Sequence, residues 1–360
     1  MSTTKNKIII APLNWGLGHA TRCVPIINAL LENNYQPIIA SDGSSLEFLK
    51  KEFSNLEFLE LPSYNISYHK NLKLTLLLQI PRILATVKKE QEVINNFINA
   101  NKDVIGVISD NRFGVRSKVV PSIYITHQVN VLSGFTTVLT SKVHQKIINK
   151  FDQCWIPDHK NGELSGRLSK IENSKYKFIG ALSRFSKTTI KDSKVDVLVV
   201  LSGVEPNRTL LEHKLISEFK NDARNIVFVL GKVENDQKKW TSNNSVFYNF
   251  LLSKELEQKI NEAEIVICRS GYSSILDLYT LEKKVFFIPT KNQPEQEYLA
   301  KYLEQKGIAP FANLEDFNKK MLNNLSDYTG FKSKKSILSS SLFSLFHGKR
   351  KLWSFTISTF

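Results

Sequence analysis

Short apolar runs alternate along the chain with longer segments in which apolar residues recur every three or four positions. Lys7 to Pro12 is the first run; a helical pattern covers His19 to Asn33, and a second run spans Gln36 to Ser41. Val104 to Ser109 and Ser122 to Thr126 continue the series. Such alternation predicts parallel strands joined by helices. A second series starts at Asp196 to Leu201 and passes through Asn225 to Leu230, Glu264 to Cys268 and Lys284 to Pro289, each followed by a helical pattern. Two open α/β domains are therefore expected. The stretch between the series, Asp158 to Lys194, is rich in Ser, Lys, Gly and Asn, although Tyr176 to Ile179 reads as a strand. A boundary near residue 160 gives an N-terminal domain over 1–160, a C-terminal domain over 161–335 and a tail over 336–360. No short internal repeat is present. Ligands of such sheets collect beyond the carboxyl ends of the strands, so two facing domains predict a site in the cleft between them.

Composition narrows the class. The 360 residues are 42% apolar and 23% charged, enough to bury a core and to exclude disorder as the main state. Cys23, Cys154 and Cys268 are too scattered for a zinc set and too few for a disulfide framework, which fits a reducing compartment. Forty-nine Lys and Arg against 34 Asp and Glu leave +15. Residues 331–360 alone carry six basic and no acidic side chains, and neither large segment shows a dense basic and aromatic stripe, which argues against nucleic acid as a partner. Met1 to Asn6 is short and polar, and Leu72 to Val87 is interrupted by Lys73, Pro81 and Arg82. Neither a signal peptide nor a membrane span is predicted, so a cytoplasmic location is expected.

Candidate chemistry gathers at strand ends. After the first strand comes Pro12-Leu13-Asn14-Trp15-Gly16-Leu17-Gly18-His19, where Gly16 and Gly18 permit a tight turn close to a ligand and His19 opens the first helix. A dinucleotide fingerprint would want glycine at position 21, which is Thr21. His19 reads either as a structural helix-start residue or as a general base toward an acceptor hydroxyl. Asp110 ends another strand and would either orient that imidazole or cap the turn that follows. His127-Gln128-Val129-Asn130 closes a third strand, with His127 open to a core reading as well.

In the second half, Ile265 to Cys268 leads into Arg269-Ser270-Gly271-Tyr272, small residues at a helix start whose free N–H groups suit phosphate. Asp277, two turns on, is placed to accept from sugar hydroxyls or is a surface residue. Ser202 and Gly203 form another strand-to-helix turn, with Arg208, and Arg269 of the other turn, able to neutralise a diphosphate. Asn292 to Glu297 offers Gln296 and Glu297 for hydrogen bonds to a sugar, or is a polar helix turn begun by Pro294.

These stretches together resemble the two-domain nucleotide-sugar glycosyltransferases of the GT-B fold. The nearest branch is glycosyltransferase family 28, with the peptidoglycan N-acetylglucosaminyltransferase. The likeness spans roughly residues 7–325 and is carried by Gly16-Leu17-Gly18-His19, His127-Gln128-Val129-Asn130, Gly180-Ala181-Leu182-Ser183-Arg184, Cys268-Arg269-Ser270-Gly271 with Asp277, and Gln296-Glu297. It implies that His19 is the base and Asp110 its partner. Arg184 would hold a donor phosphate, Ser270 and Gly271 the diphosphate, Asp277 the ribose, and Gln296 and Glu297 the donor sugar. Leu252, within Leu251 to Ser253, would lie beside uracil, and Gly16, Gly18, His127 and Asn130 would line the acceptor side. The turn at Ser202 has fewer glycines than the peptidoglycan enzyme, and Asp277 replaces a longer Glu, which points to a related transferase with another acceptor.

The expectation is an inverting, metal-independent transferase with no cofactor. It would move a hexose or N-acetylhexosamine from a UDP-sugar to a hydroxyl on a lipid-linked or cell-envelope acceptor. Two rivals are a UDP-N-acetylglucosamine 2-epimerase and a non-catalytic nucleotide-sugar-binding protein. Residues 63–90 are the expected acceptor region, and Leu74 to Ile83 reads as a core helix or a lipid contact. In the tail, Lys332, Lys334, Lys335, Lys349, Arg350 and Lys351 alternate with Leu342, Phe343, Leu345, Phe346, Leu352, Trp353 and Phe355. That pattern suits peripheral contact with an anionic membrane, or a solvated terminus.

Overall fold

A computed structural model describes residues 6–65, 72–188, 195–334 and 338–347. Strands and helices alternate in the first half as β1 (Lys7–Pro12), α1 (Gly18–Glu32), β2 (Gln36–Ser41), α2 (Gly43–Glu52), β3 (Glu57–Glu60), α3 (Leu72–Ala100), β4 (Val104–Asp110), β5 (Ser122–Ile125), α4 (Thr137–Ile148), β6 (Gln153–Ile156) and β7 (Tyr176–Phe178). The second half runs β8 (Val195–Val200), α5 (Asn207–Phe219), β9 (Ile226–Val229), β10 (Lys239–Ser242), β11 (Ser245–Tyr248), α6 (Ser253–Glu262), β12 (Ala263–Cys268), α7 (Tyr272–Leu281), β13 (Lys284–Phe287) and α8 (Pro294–Gln305).

The first sheet has the order β3-β2-β1-β4-β5-β6-β7 and the second β10-β11-β9-β8-β12-β13. Every pairing is parallel except β10 with β11. These are two Rossmann-like sheets, as the alternating pattern predicted. Ile8, Ile9, Ile10, Val107 and Ile108 are all fully buried because helices cover both faces, and this is why their strands read as unbroken apolar runs. In each sheet the chain reverses direction of travel at the first strand: β1 lies between β2 and β4, and β8 between β9 and β12. Pro12 pairs with Asp110 and Val200 with Cys268, so both reversal points end at the residues singled out above.

Two expectations need correction. The sheets do not divide near residue 160, because Tyr176–Phe178 pairs with β6 and extends the first sheet to residue 178. The tail is not wholly a surface feature either. Residues Ser340–His347 form a 3-10 helix whose Phe343 and Phe346 are buried. Phe343 packs edge-on against Tyr35 and Trp155, and His347 bonds the Tyr35 hydroxyl at 2.6 Å, so the chain returns from the second domain to cover the first. Lys335, Lys349, Arg350, Lys351, Leu352, Trp353 and Phe355 lie outside the described residues. Of the Leu74 to Ile83 stretch, Ile80 is exposed, and Leu84 beyond it is exposed too; the side chains before Gln79 are not described. No helix among the described residues is long and apolar enough to cross a membrane.

Candidate active site

The chain leaves β1 through Asn14 and turns at Gly16, whose φ of +73° suits glycine. Asn14 is anchored beneath: it donates to Asp42, which pairs with the fully buried Arg112 at 2.6 Å, which in turn pairs with Glu90 at 2.6 Å. The loop is thereby held on the strand edge. Gly18 then starts α1 against the other domain. A Cβ there would sit 3.0 Å from Ser273 Oγ, and Ser273 donates to the Gly18 carbonyl at 2.8 Å. The amino ends of α1 and α7 thus meet across the cleft.

His19 and Asp110 come together as expected, with Nδ1 and Oδ1 2.9 Å apart and Asp110 fully buried. The sequence reading missed the third member. Arg22, one turn along α1 from His19, is 3% exposed. Its Nε donates to Asp110 Oδ2 at 2.5 Å, Nη2 bonds Asp110 Oδ1 and lies 2.8 Å from His19 Nδ1, and Nη1 lies 3.3 Å from His127 Nδ1. Burial alone would raise the Asp110 carboxyl, but Arg22 and His19 outweigh it and hold it well below the usual carboxylate range. Burial, reinforced by Arg22, lowers His19, with Asp110 opposing both. The imidazole is therefore neutral near pH 7, as a base must be before it acts.

His127 is also in the cluster. Its ring stacks on Tyr272 with centroids 3.9 Å apart, and Nε2 lies 2.6 Å from Glu295 Oε1 on α8. Glu295, which the sequence reading passed over, also accepts from Gln128. Asn130 is not part of this group: its amide donates to the carbonyls of Arg167 and Lys170 and ties down that loop.

Opposite, Ser202 and Gly203 line a cavity of about 520 Å³ together with Asn14, Trp15, Gly16, Ser44, Tyr64 and Glu205. The cavity joins the first loop of each domain. Gly271 precedes α7, and a Cβ there would meet nothing within 4 Å among the described residues, which leaves the helix start open to a ligand. Ser270 is buried and its hydroxyl donates to the Gln296 carbonyl. Asp277 accepts from Ser183 at 2.7 Å and is pushed up to about 6 by burial, against the pull of Arg184 and Ser183. Arg184 lies over Phe48 and Phe185 and donates to Ser253, next to Leu252 at the start of α6. Its Nε has no hydrogen-bond partner among the described residues. Glu52 reaches across from α2 to accept from the Ser253 amide at 2.8 Å.

Two arginines expected at the diphosphate are engaged elsewhere. Arg208 pairs with Glu205 and Glu212 and donates to the Leu230 carbonyl and the Thr209 hydroxyl, because the two acids lie one turn to either side of it. Arg269 is 2% exposed and gives Nη1 to the Ile288 and Pro289 carbonyls and Nη2 to Asn207, joining the end of β13 to the start of α5. Burial lowers it to about 10. Gln296 accepts from the Thr290 amide, and the exposed Glu297 accepts from Asn292, so both side chains brace the turn before α8. Among the described residues no group of His, Cys, Asp and Glu is placed to hold a metal ion.

Residues 197–339 match the Glycosyltransferase family 28 C-terminal domain. The chain is 22% identical over 325 residues to the UDP-N-acetylglucosamine--N-acetylmuramyl-(pentapeptide) pyrophosphoryl-undecaprenol N-acetylglucosamine transferase of Actinobacillus pleuropneumoniae serotype 5b, covering 86% of this chain and 85% of that one. The enzyme of the same name from Histophilus somni is 25% identical over 280 residues, covering 74% and 73%. Among solved structures, the glycotransferase of kitacinnamycin superposes with a TM-score of 0.63 at 13% identity, over 89% of this chain and 90% of that one. MurG of Acinetobacter baumannii superposes with a TM-score of 0.52 at 13% identity, over 90% of each. The names of these relatives describe transferases. The chain is a glycosyltransferase of the GT-B fold whose residues 197–339 are similar to the family 28 C-terminal domain.

Proposed function

We propose that the enzyme is an inverting, metal-independent transferase that moves a hexose or N-acetylhexosamine from a UDP-sugar to an acceptor hydroxyl. The observation that carries this reading is the His19, Asp110 and Arg22 cluster at the end of β1 and β4, facing the open start of α7. His19 Nε2 takes the acceptor proton as the acceptor oxygen bonds to the sugar's anomeric carbon from the face opposite the nucleotide. The bond from that carbon to the β-phosphate oxygen breaks, and its electron pair leaves with UDP. Asp110 balances the imidazolium that forms. The α7 amides at Gly271 and the Arg184 guanidinium meet the charge growing on the diphosphate, which makes a cation unnecessary, and Asp277 accepts from the ribose. The donor reading is supported by the relatives, whose names specify UDP-N-acetylglucosamine and an undecaprenol-linked acceptor.

His19→Ala should nearly abolish transfer while UDP binding, read by calorimetry, persists. Unchanged turnover in that variant would remove His19 as the base. For a lipid-linked acceptor the enzyme must meet a membrane from its cytoplasmic side, and Lys349, Arg350 and Lys351 beside Trp353 and Phe355 suit the anionic headgroups there. Removing residues 348–360 should reduce co-sedimentation with phosphatidylglycerol vesicles, and undiminished binding would refute that role.

A further inference from the structure

A largely buried chain of polar side chains joins the two domains. It begins on α8 with Glu295, whose Oε1 lies 2.6 Å from His127 Nε2. A carboxylate only accepts, so His127 carries a proton on Nε2. Its Nδ1 then meets Arg22 Nη1 at 3.3 Å as a lone pair, while Tyr272, also from the C-terminal domain, fixes the plane of the ring. Arg22 continues the chain to Asp110 and to His19 Nδ1. Arginine only donates, so His19 has two arrangements. In one, Nδ1 gives its proton to Asp110 and Nε2 is left basic. In the other, Nδ1 accepts from Arg22, the proton sits on Nε2, and the ring is no base toward the cleft.

We propose that Glu295 is a positioning residue for His19: by orienting His127 it seats Arg22 on His127 and Asp110 and leaves Asp110 to the Nδ1 proton of His19. The inference rests on the reading of His19 as the base. It makes the base depend on contact between the domains, because Glu295 and Tyr272 come from one and His19, Arg22, Asp110 and His127 from the other. With the cleft open, Arg22 would lose an acceptor and compete for Nδ1. The charged and titratable groups around His19 are Asp110 from β4, Arg22 from α1, His127 after β5 and Glu295 from α8, with the Cys23 thiol 3.6 Å from Asp110 and kept protonated by burial. Glu295 is held ionised, since His127, Arg22 and His19 together outweigh its burial.

Nitrogen-15 NMR of the full chain with labelled histidines reads both tautomers and the His19 titration directly, with no need for an acceptor. Glu295→Gln keeps an oxygen for His127 Nε2–H but removes the charge. His127 should keep its tautomer there, and the His19 midpoint should fall by about 1 pH unit. Glu295→Ala should mix the His127 tautomers and increase the fraction of His19 protonated on Nε2. If His127 changes in Glu295→Ala while the tautomer and midpoint of His19 stay at their wild-type values in both variants, the relay is refuted. An active His19→Ala enzyme would instead overturn the catalytic reading and leave these spectra as they are.

Discussion

Asp277→Asn should stabilise the protein in the absence of donor and weaken its hold on nucleotide. The Asp277 carboxyl sits at about 6 against an ordinary 3.8, because burial outweighs Arg184 and the Ser183 hydroxyl. A carboxyl raised in the folded state prefers to be protonated there. Its contribution is therefore most favourable below about pH 4 and is lost as the pH rises through about 6. At about 1.4 kcal/mol per pH unit the full difference is roughly 3 kcal/mol, and access of water to the half-buried group reduces it to about 1–2 kcal/mol. Asn keeps the size of the side chain and an oxygen for Ser183, and Arg184 keeps Ser253 and two aromatic faces. Urea unfolding should find the variant more stable by that amount at pH 7.5 and equal to the wild type at pH 4. Calorimetry with UDP should show affinity reduced roughly tenfold to a hundredfold, the value of a hydrogen bond to a charged group. A variant no more stable at pH 7.5, or equally stabilised at both pH values, would refute the reasoning.

Asp110→Asn leaves Arg22 buried without a counter-charge and should cost about 3–5 kcal/mol in denaturant unfolding. Because Asp110 is depressed in the fold, its stabilisation is complete above its unfolded value and disappears as acid protonates it, so the variant should lose less stability than the wild type on going to low pH. Arg208→Ala removes one of the two cations on Glu212, which is 8% exposed and keeps its ion pair with Lys232, and should lower stability by about 1–2 kcal/mol. Its UDP affinity should stay within about twofold of the wild type on the same scale of free energies. A large loss of affinity would return Arg208 to the diphosphate.

The periodicity of the chain carried the two sheets because their central strands are covered on both sides and have no polar face to confuse the pattern. It left open the sheet of one short strand, which it did read, and missed an exposed one. Tyr176–Phe178 is three half-buried residues, and only pairing with β6 decides which sheet they join. Lys239–Ser242 is exposed throughout and holds its place by antiparallel pairing with β11 at the sheet edge, so no apolar run announces it. The apolar positions of 342–346 were visible, but their destination was not. Whether Phe343 faces lipid or Trp155 depends on the chain returning across both domains, which no local pattern encodes.

In the site, the residues legible in sequence were those at strand ends, where topology alone decides the location: His19, Asp110, His127, Ser202 and Gly271. Arg22, Arg208 and Arg269 were not, because a cation's role is set by what lies beside it in space. Part of the signal was nonetheless local. Arg22 stands one turn from His19 on a helix face otherwise apolar, a position tolerable for arginine only against a buried anion. Arg208 lies between Glu205 and Glu212 at helix-neighbour spacing, which already offered it two partners. With Arg22, Arg112 and Arg208 matched to carboxylates and Arg269 bound to carbonyls, the +15 of the chain supplies little positive charge to the cleft. In the proposed reaction the leaving diphosphate is therefore left to Arg184 and the amino end of α7. This follows from the requirement that buried charge be neutralised locally, and under the proposed reaction it makes Arg184, rather than the net charge, the cation that meets the diphosphate.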